Sequence, residues 1–242
     1  MWLQPPEDAG EAIRDVKAAL RRRLAASGRT VEEVFEIVEA RIAERVAEVR
    51  AANAEFGTAW PAIDFEELVA DGVPRDFDQR VRRRGCLVVR GHFGRSQALD
   101  WDRALVEYLE VNGFAEAYRG PGDQFFATVG STPEIFPIYW SPAQMQARQS
   151  TRMAIVQRLL NSMWRSESEG LTWFDPERSV MYPDRVRRRP EGTTSTGLGA
   201  HIDAGTLDLW MKPEFQQAFR HVFDGSIEQF DLWDAAYRTD GS

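Results

Sequence analysis

The chain is poor in the residues that carry out most cross-linking and nucleophilic chemistry. It has one cysteine, Cys86, and three histidines in 242 residues. A single cysteine excludes an internal disulfide framework and suits a reducing compartment. Cys86 lies in the apolar run Gly85-Cys86-Leu87-Val88-Val89 and reads as a small core residue, not a reactive thiol. No stretch approaches the roughly 18–20 apolar residues of a membrane span. The N-terminus, Met1 to Asp8, lacks the charged and then apolar pattern of a secretion signal, so the expected location is the cytoplasm. No repeat or low-complexity block is evident. A phosphate loop closed by Lys-Ser/Thr, a nucleophile elbow and a His-Glu-x-x-His helix are all missing. Positive charge is also in deficit: the net charge of -8 argues against a general affinity for nucleic acid or anionic membrane.

What is present is the material of a globular protein, with 43% hydrophobic residues and eight tryptophans. The first third reads as helix. Ile13, Val16, Leu20 and Leu24 repeat at helical spacing, and Ser27-Gly28 ends the run. Thr30 with Glu33 forms a capping-box pattern that opens a long segment carrying Val31, Val34, Phe35, Val38, Ile42, Val46 and Val49. That apolar stripe has two readings: a helical hairpin packed on the main domain, or the surface of a homodimer. The first is the default, because most amphipathic helices cover a core.

Beyond Trp60-Pro61 the pattern shortens. Helices are expected over residues 63–70 and 77–84, a strand over 86–90 and a helix over 97–112. A further helix starts at Ser141 or Ser150 and runs to about Ser166. A strand is expected over 179–183, and another helix over 212–222. Helices first and strand-like segments later give an α+β architecture, with a helical N-terminal region over 1–72 and a second region over 73–242.

One segment stands out chemically. Gly197-Leu198-Gly199-Ala200-His201-Ile202-Asp203 places an imidazole and a carboxylate two residues apart, on one face if the segment is extended. Such a pair supplies two corners of the 2-His-1-carboxylate triad that holds non-haem iron(II) with open positions. The competing reading is a polar strand end with a His-Asp hydrogen bond. Ahead of the pair, Arg185 and Arg187-Arg188-Arg189 are either a solvated loop or an electropositive rim for an anionic small-molecule substrate. Tyr139, Trp140 and Tyr182 are either pocket lining or aromatic core.

Several segments together resemble the YbiU-like family of iron(II)/2-oxoglutarate-dependent dioxygenases, formerly a domain of unknown function. They are Pro137-Ile138-Tyr139-Trp140-Ser141 with Ala147-Arg148-Gln149, Met181-Tyr182-Pro183-Asp184-Arg185, the His201-Ile202-Asp203 segment, and Arg220-His221-Val222-Phe223-Asp224-Gly225. Asp231-Leu232-Trp233-Asp234 closes the series. The resemblance implies a double-stranded β-helix (jelly-roll, cupin-like) core, iron(II) as metal, 2-oxoglutarate as co-substrate, and His201 and Asp203 as the first two ligands. It also implies that the distal histidine and the arginine gripping 2-oxoglutarate come from later strands, so the jelly roll in this chain is expected to be C-terminally incomplete. Where the resemblance calls for an acidic-Arg-Trp sequence, the chain has Asp208-Leu209-Trp210, which leaves Trp210 beside Tyr182 and Arg185 as the substrate-binding candidates.

The other histidines are weaker ligands. His221 follows Asp203 by 18 residues in a segment distinct from that of the distal ligand, and His92 reads as a turn or core histidine. An aspartate at the second ligand position favours hydroxylation over halogenation, because no site is vacated for halide. The alternative function is a truncated, non-catalytic binding module of the same fold.

Overall fold

A computed structural model describes residues 8–114, 134–136, 138–168, 170–181, 183–188 and 212–235. The chain forms two compact units. One comprises residues 1–61, 164–174 and 204–242, and the other comprises 62–163 and 175–203.

In the first unit, α1 (Ala9–Ala26) starts where the Asp8 carboxylate accepts the Glu11 backbone N–H at 2.8 Å. It stops at Ser27, and Gly28 takes a positive φ to turn the chain. The expected capping box then opens α2 (Val31–Phe56). Thr30 Oγ1 accepts from Glu33 N at 3.2 Å, and Glu33 Oε2 accepts from Thr30 N at 2.7 Å, so two otherwise unpaired donors are satisfied reciprocally. α2 is 26 residues long and buries none of them completely.

A short hairpin, β4 (Glu167–Ser168) with β5 (Leu171–Thr172), lies in the same unit. So do α8 (Pro213–Ala218), α9 (Arg220–Phe223) and a 3-10 turn over Ile227–Gln229. The single helix expected over 212–222 is therefore two short ones, broken at Phe219. Arg23 of α1 pairs bidentately with Asp224 after α9, and Arg29 reaches Glu228 at 3.3 Å. Trp164 packs edge-on to Trp233, and Arg165 and Trp233–Ala235 exchange backbone hydrogen bonds at 2.7 and 3.2 Å.

The second unit starts with β1 (Ala62–Asp64), α3 (Phe65–Asp71), α4 (Arg75–Arg84) and β2 (Val88–Arg90). β1 and β2 pair in parallel, Ile63 opposite Val89, and the two helices supply the crossover that parallel pairing requires. The expected helix over 63–70 thus begins later, at Phe65. Three residues are too few to show a period of two, and only the distant partner β2 makes them a strand. Ile63, Phe65, Leu68, Phe77 and Val81 are buried, with Phe77 and Val81 one helical turn apart on α4.

α5 (Arg95–Val111) follows, then β3 (Glu134–Phe136), α6 (Pro142–Arg148) and α7 (Thr151–Ser162). Both candidate caps are used: Ser141 caps α6 and Ser150 caps α7. The last strand is β6 (Val186–Arg188), antiparallel to β3, with Val186 opposite Phe136. This corrects the expected strand at 179–183, where the described residues form none and Val180 is fully exposed. An arginine-rich stretch serves instead, because a three-residue strand needs only one inward side chain. Val186 provides it, packing into a cluster with Leu109, Phe136 and Ile138. Among the described residues the strands form three two-stranded sheets.

Candidate functional site

Of the residues singled out in the sequence, His201, Asp203, Tyr182 and Trp210 lie outside the described residues. Arg185 is described, and so is the framework that leads into β6. That framework is built on Gln144, a buried amide in the first turn of α6. Its Oε1 accepts from Ser141 N at 3.1 Å and from Ser141 Oγ at 2.9 Å. Its Nε2 donates to Ile138 O at 2.9 Å, to Asp184 O at 3.0 Å and to Asp184 Oδ2 at 3.2 Å. Three acceptors on one side and two donors on the other fix which way the amide faces. One side chain therefore ties the chain before α6 to the chain before β6.

Arg148, one turn further along α6, repeats the link with charge. Its guanidinium pairs with Asp184 Oδ1 at 2.9 Å, donates to Tyr139 O and lies over the Trp140 ring, 5.0 Å from its centroid. The arginine side chain is only 10% exposed, and its partner Asp184 is 58% exposed. Arg185 Nε donates to Tyr139 Oη at 3.2 Å, which tethers the one described substrate-binding candidate to the same frame. Next to it, Trp140, Met145, Arg148, Gln149, Met181 and Pro183 line a cavity of about 170 Å³. Its walls are aromatic and thioether, and its one cation is already committed to a carboxylate and a carbonyl. It can seat a small apolar group and is a poor receptor for a free anion.

The sequence carried a signal for this network that periodicity does not see. Ser141-Pro142-Ala143-Gln144 is a capping box with proline at the first helical position, and it places Gln144 at the third. What the sequence lacks is any sign that the same amide reaches Asp184, forty residues on.

The other histidines are held structurally. His92 follows β2, its ring edge-on to Phe65 at 5.3 Å and to Phe93 at 4.4 Å. Both ring nitrogens are shielded from solvent and have no hydrogen-bond partner. Burial, with a smaller push from the Arg152 guanidinium, lowers its pKa below 6.5 and favours the neutral ring. Arg152 donates to Gly91 O at 2.9 Å and to His92 O, pairs with Glu66 at 2.9 Å and stacks 3.7 Å from the Phe65 centroid. His221 sits in α9 with Nδ1 2.9 Å from Ser226 Oγ. Among the described residues, no three His, Cys, Asp or Glu side chains gather closely enough to hold a metal ion. None of the described helices is long and apolar enough to cross a membrane.

The model of the Gig2-like family matches residues 9–242. The chain belongs to the Gig2-like family. It is 49% identical over 236 residues to the "Uncharacterized protein YbiU" of Escherichia coli (strain K12), which bears out the resemblance in its family part. That match covers 97% of this chain and 55% of the relative, so the chain spans about half the length of the curated protein it matches. Among solved structures it is similar to the "Putative Oxidoreductase" from Salmonella typhimurium LT2, with a TM-score of 0.88 and 50% identity over 97% of this chain and 56% of the other. GlcNAc Inducible Gene 2 of Candida albicans shares the fold alone, with a TM-score of 0.60 at 20% identity over 94% of this chain and 43% of the other.

Proposed function

We propose that this Gig2-like chain carries part of a non-haem iron(II)/2-oxoglutarate-dependent oxygenase that hydroxylates a small-molecule substrate on a jelly-roll core. The observation that carries the reading is the His201-Ile202-Asp203 triplet within a glycine-rich segment downstream of β6. A neutral imidazole nitrogen and a carboxylate oxygen suit iron(II), and an i, i+2 spacing directs both to one face of an extended chain. The oxidoreductase name of the Salmonella relative points the same way.

In this reading His201 and Asp203 are two of the three ligands, and Tyr182, Arg185 and Trp210 orient the substrate. When bound, iron(II) with 2-oxoglutarate and O₂ supplies the oxidising power to replace C–H with C–OH. The chain contributes placement. Gln144 and Arg148 anchor Asp184, Arg185 is held against Tyr139, and β6 is paired with β3.

The test is anaerobic titration of the purified chain with iron(II) and 2-oxoglutarate, beside His201→Ala, watching for the visible charge-transfer band of the chelate. A band that is lost in the variant supports the oxygenase reading. No band in a demonstrably folded sample refutes it for this chain and favours a binding module of the same fold.

A further inference from the structure

The face of α2 that its own unit does not use carries an exposed apolar ridge. At ~100° per residue, Phe35, Ile42 and Val46 fall within about 40° of arc, forming a ridge about 16 Å long. These three side chains are 65%, 56% and 42% exposed. Other sides of the helix serve the unit itself. Arg41 donates to Ile227 O at 3.2 Å, and Ile37 lines a groove with Gly28 and Arg29. This departs from the default expectation for an amphipathic helix, which is that its apolar stripe covers a core.

We propose that the ridge is the interface with a second copy of this chain, packed antiparallel about a two-fold axis near residue 44. In that register Ile42 of each copy meets Val46 of the other, and Phe35 lies over Asn53. The flanking charges decide the orientation. Glu36 and Arg50 are both exposed, and neither has an ion-pair partner among the described residues. The antiparallel register sets Glu36 of each copy beside Arg50 of the other, giving two symmetric pairs at the edge of the seam. The Arg45 side chains approach each other near the axis, each with Glu48 of its own helix at 3.6 Å to neutralise it. A parallel pair would set Arg50 against Arg45 of the second copy, twice, and would gain no pair for Glu36. An isologous interface of this kind satisfies every contact twice.

The experiment is sedimentation velocity over a concentration series on the full chain, with Ile42→Glu, Glu36→Arg, Arg50→Glu and the Glu36→Arg/Arg50→Glu double variant. All three positions are exposed, and circular dichroism and urea unfolding confirm that each variant folds. The expected result is a concentration-dependent dimer. Ile42→Glu weakens it by about 100-fold or more, each single reversal weakens it about tenfold, and the double variant returns to within about threefold of the parent. The reciprocal rescue belongs to an antiparallel self-pair. A monomer at all concentrations overturns the proposal and leaves the ridge to another polypeptide. A dimer that is indifferent to Ile42→Glu overturns it as well, and so does a double variant no better than the singles.

Discussion

Replacing Gln144 with leucine removes the buried amide that, alongside Arg148, satisfies oxygens on both sides of the β3–β6 frame. The Ile138 residue is buried at 6%, so its carbonyl loses the Gln144 donor with little solvent to replace it. An unsatisfied buried carbonyl costs about 1–3 kcal/mol. The Asp184 oxygens lose donors at 3.0 and 3.2 Å but recover water, because Asp184 is largely exposed, at a net cost of about 0.5 kcal/mol. The Ser141 N–H loses its acceptor at the helix start, a cap worth about 1 kcal/mol. Leucine keeps most of the volume, so the sum is about 2.5–4.5 kcal/mol. It should be read as a lower urea midpoint at unchanged slope. Gln144→Glu sharpens the test. It keeps the acceptor for Ser141 and turns the other oxygen toward Ile138 O, Asp184 O and Asp184 Oδ2. At pH 7 it should be worse than leucine. These oxygens raise the folded-state pKa of the new carboxyl, so the folded state holds a proton that the unfolded state has lost. Stability therefore falls as pH rises through that window and recovers on acidification. A leucine variant within 0.5 kcal/mol of the parent would refute the reasoning. So would a glutamate variant at pH 7 no worse than leucine.

His92 favours its neutral form in the folded state, so stability should decline as pH drops below about 6.5, where the unfolded chain takes up the proton first. The groups facing it are Arg152 and, through Arg152, Glu66. His92→Phe removes that acid-side slope and two unpaired ring nitrogens, raising stability by about 1 kcal/mol; urea midpoints between pH 5 and 8 check both effects. Arg152→Lys keeps the charge but loses the planar stack on Phe65 and the forked reach to Gly91 O and His92 O, so it should cost about 1–3 kcal/mol and behave like Arg152→Met in thermal melts. Gly225→Ala places a Cβ 2.8 Å from Leu24 Cδ1 and 3.1 Å from Arg29 Cδ, at a φ of +71. It should cost clearly more than Gly85→Ala, which shares that φ but meets nothing within 4 Å and should cost about 1 kcal/mol; paired denaturation curves separate crowding from backbone strain.

Helix ends were legible in the sequence because the signals are local. Thr30 with Glu33, Ser27-Gly28 and the two serines at 141 and 150 each mark a boundary within four residues of their effect. Short strands were not. β1 and β6 are three residues each, and what makes them strands lies 26 and 52 residues away, in β2 and β3. Val186 shows the physics: flanked by arginines it has no hydrophobic pattern, yet it is buried because Phe136 and Leu109 are there to receive it. The long amphipathic run of α2 was legible as a helix, but not for what its stripe covers. A hydrophobic period says which face is apolar and not whether its partner belongs to the same chain.

The segments that carried the family resemblance turn out to have two kinds of physical content. Residues 138–148 and 183–186 are one frame in space, joined by Gln144, Arg148 and Asp184, and closed by Val186 against Ile138. That grouping accounts for the co-occurrence of two stretches forty residues apart on structural grounds alone. It therefore supports the fold without supporting any chemistry. The proposed chemistry rests on His201 and Asp203, so the two kinds of content separate experimentally. Gln144→Leu lowers stability, and below its unfolding midpoint any iron(II) affinity should persist. His201→Ala should abolish iron binding in a sample whose urea unfolding curve shows that it is folded. If the Gln144 variant lost iron binding while fully folded, the frame would itself be part of the metal site, and scaffold and chemistry would not be separable.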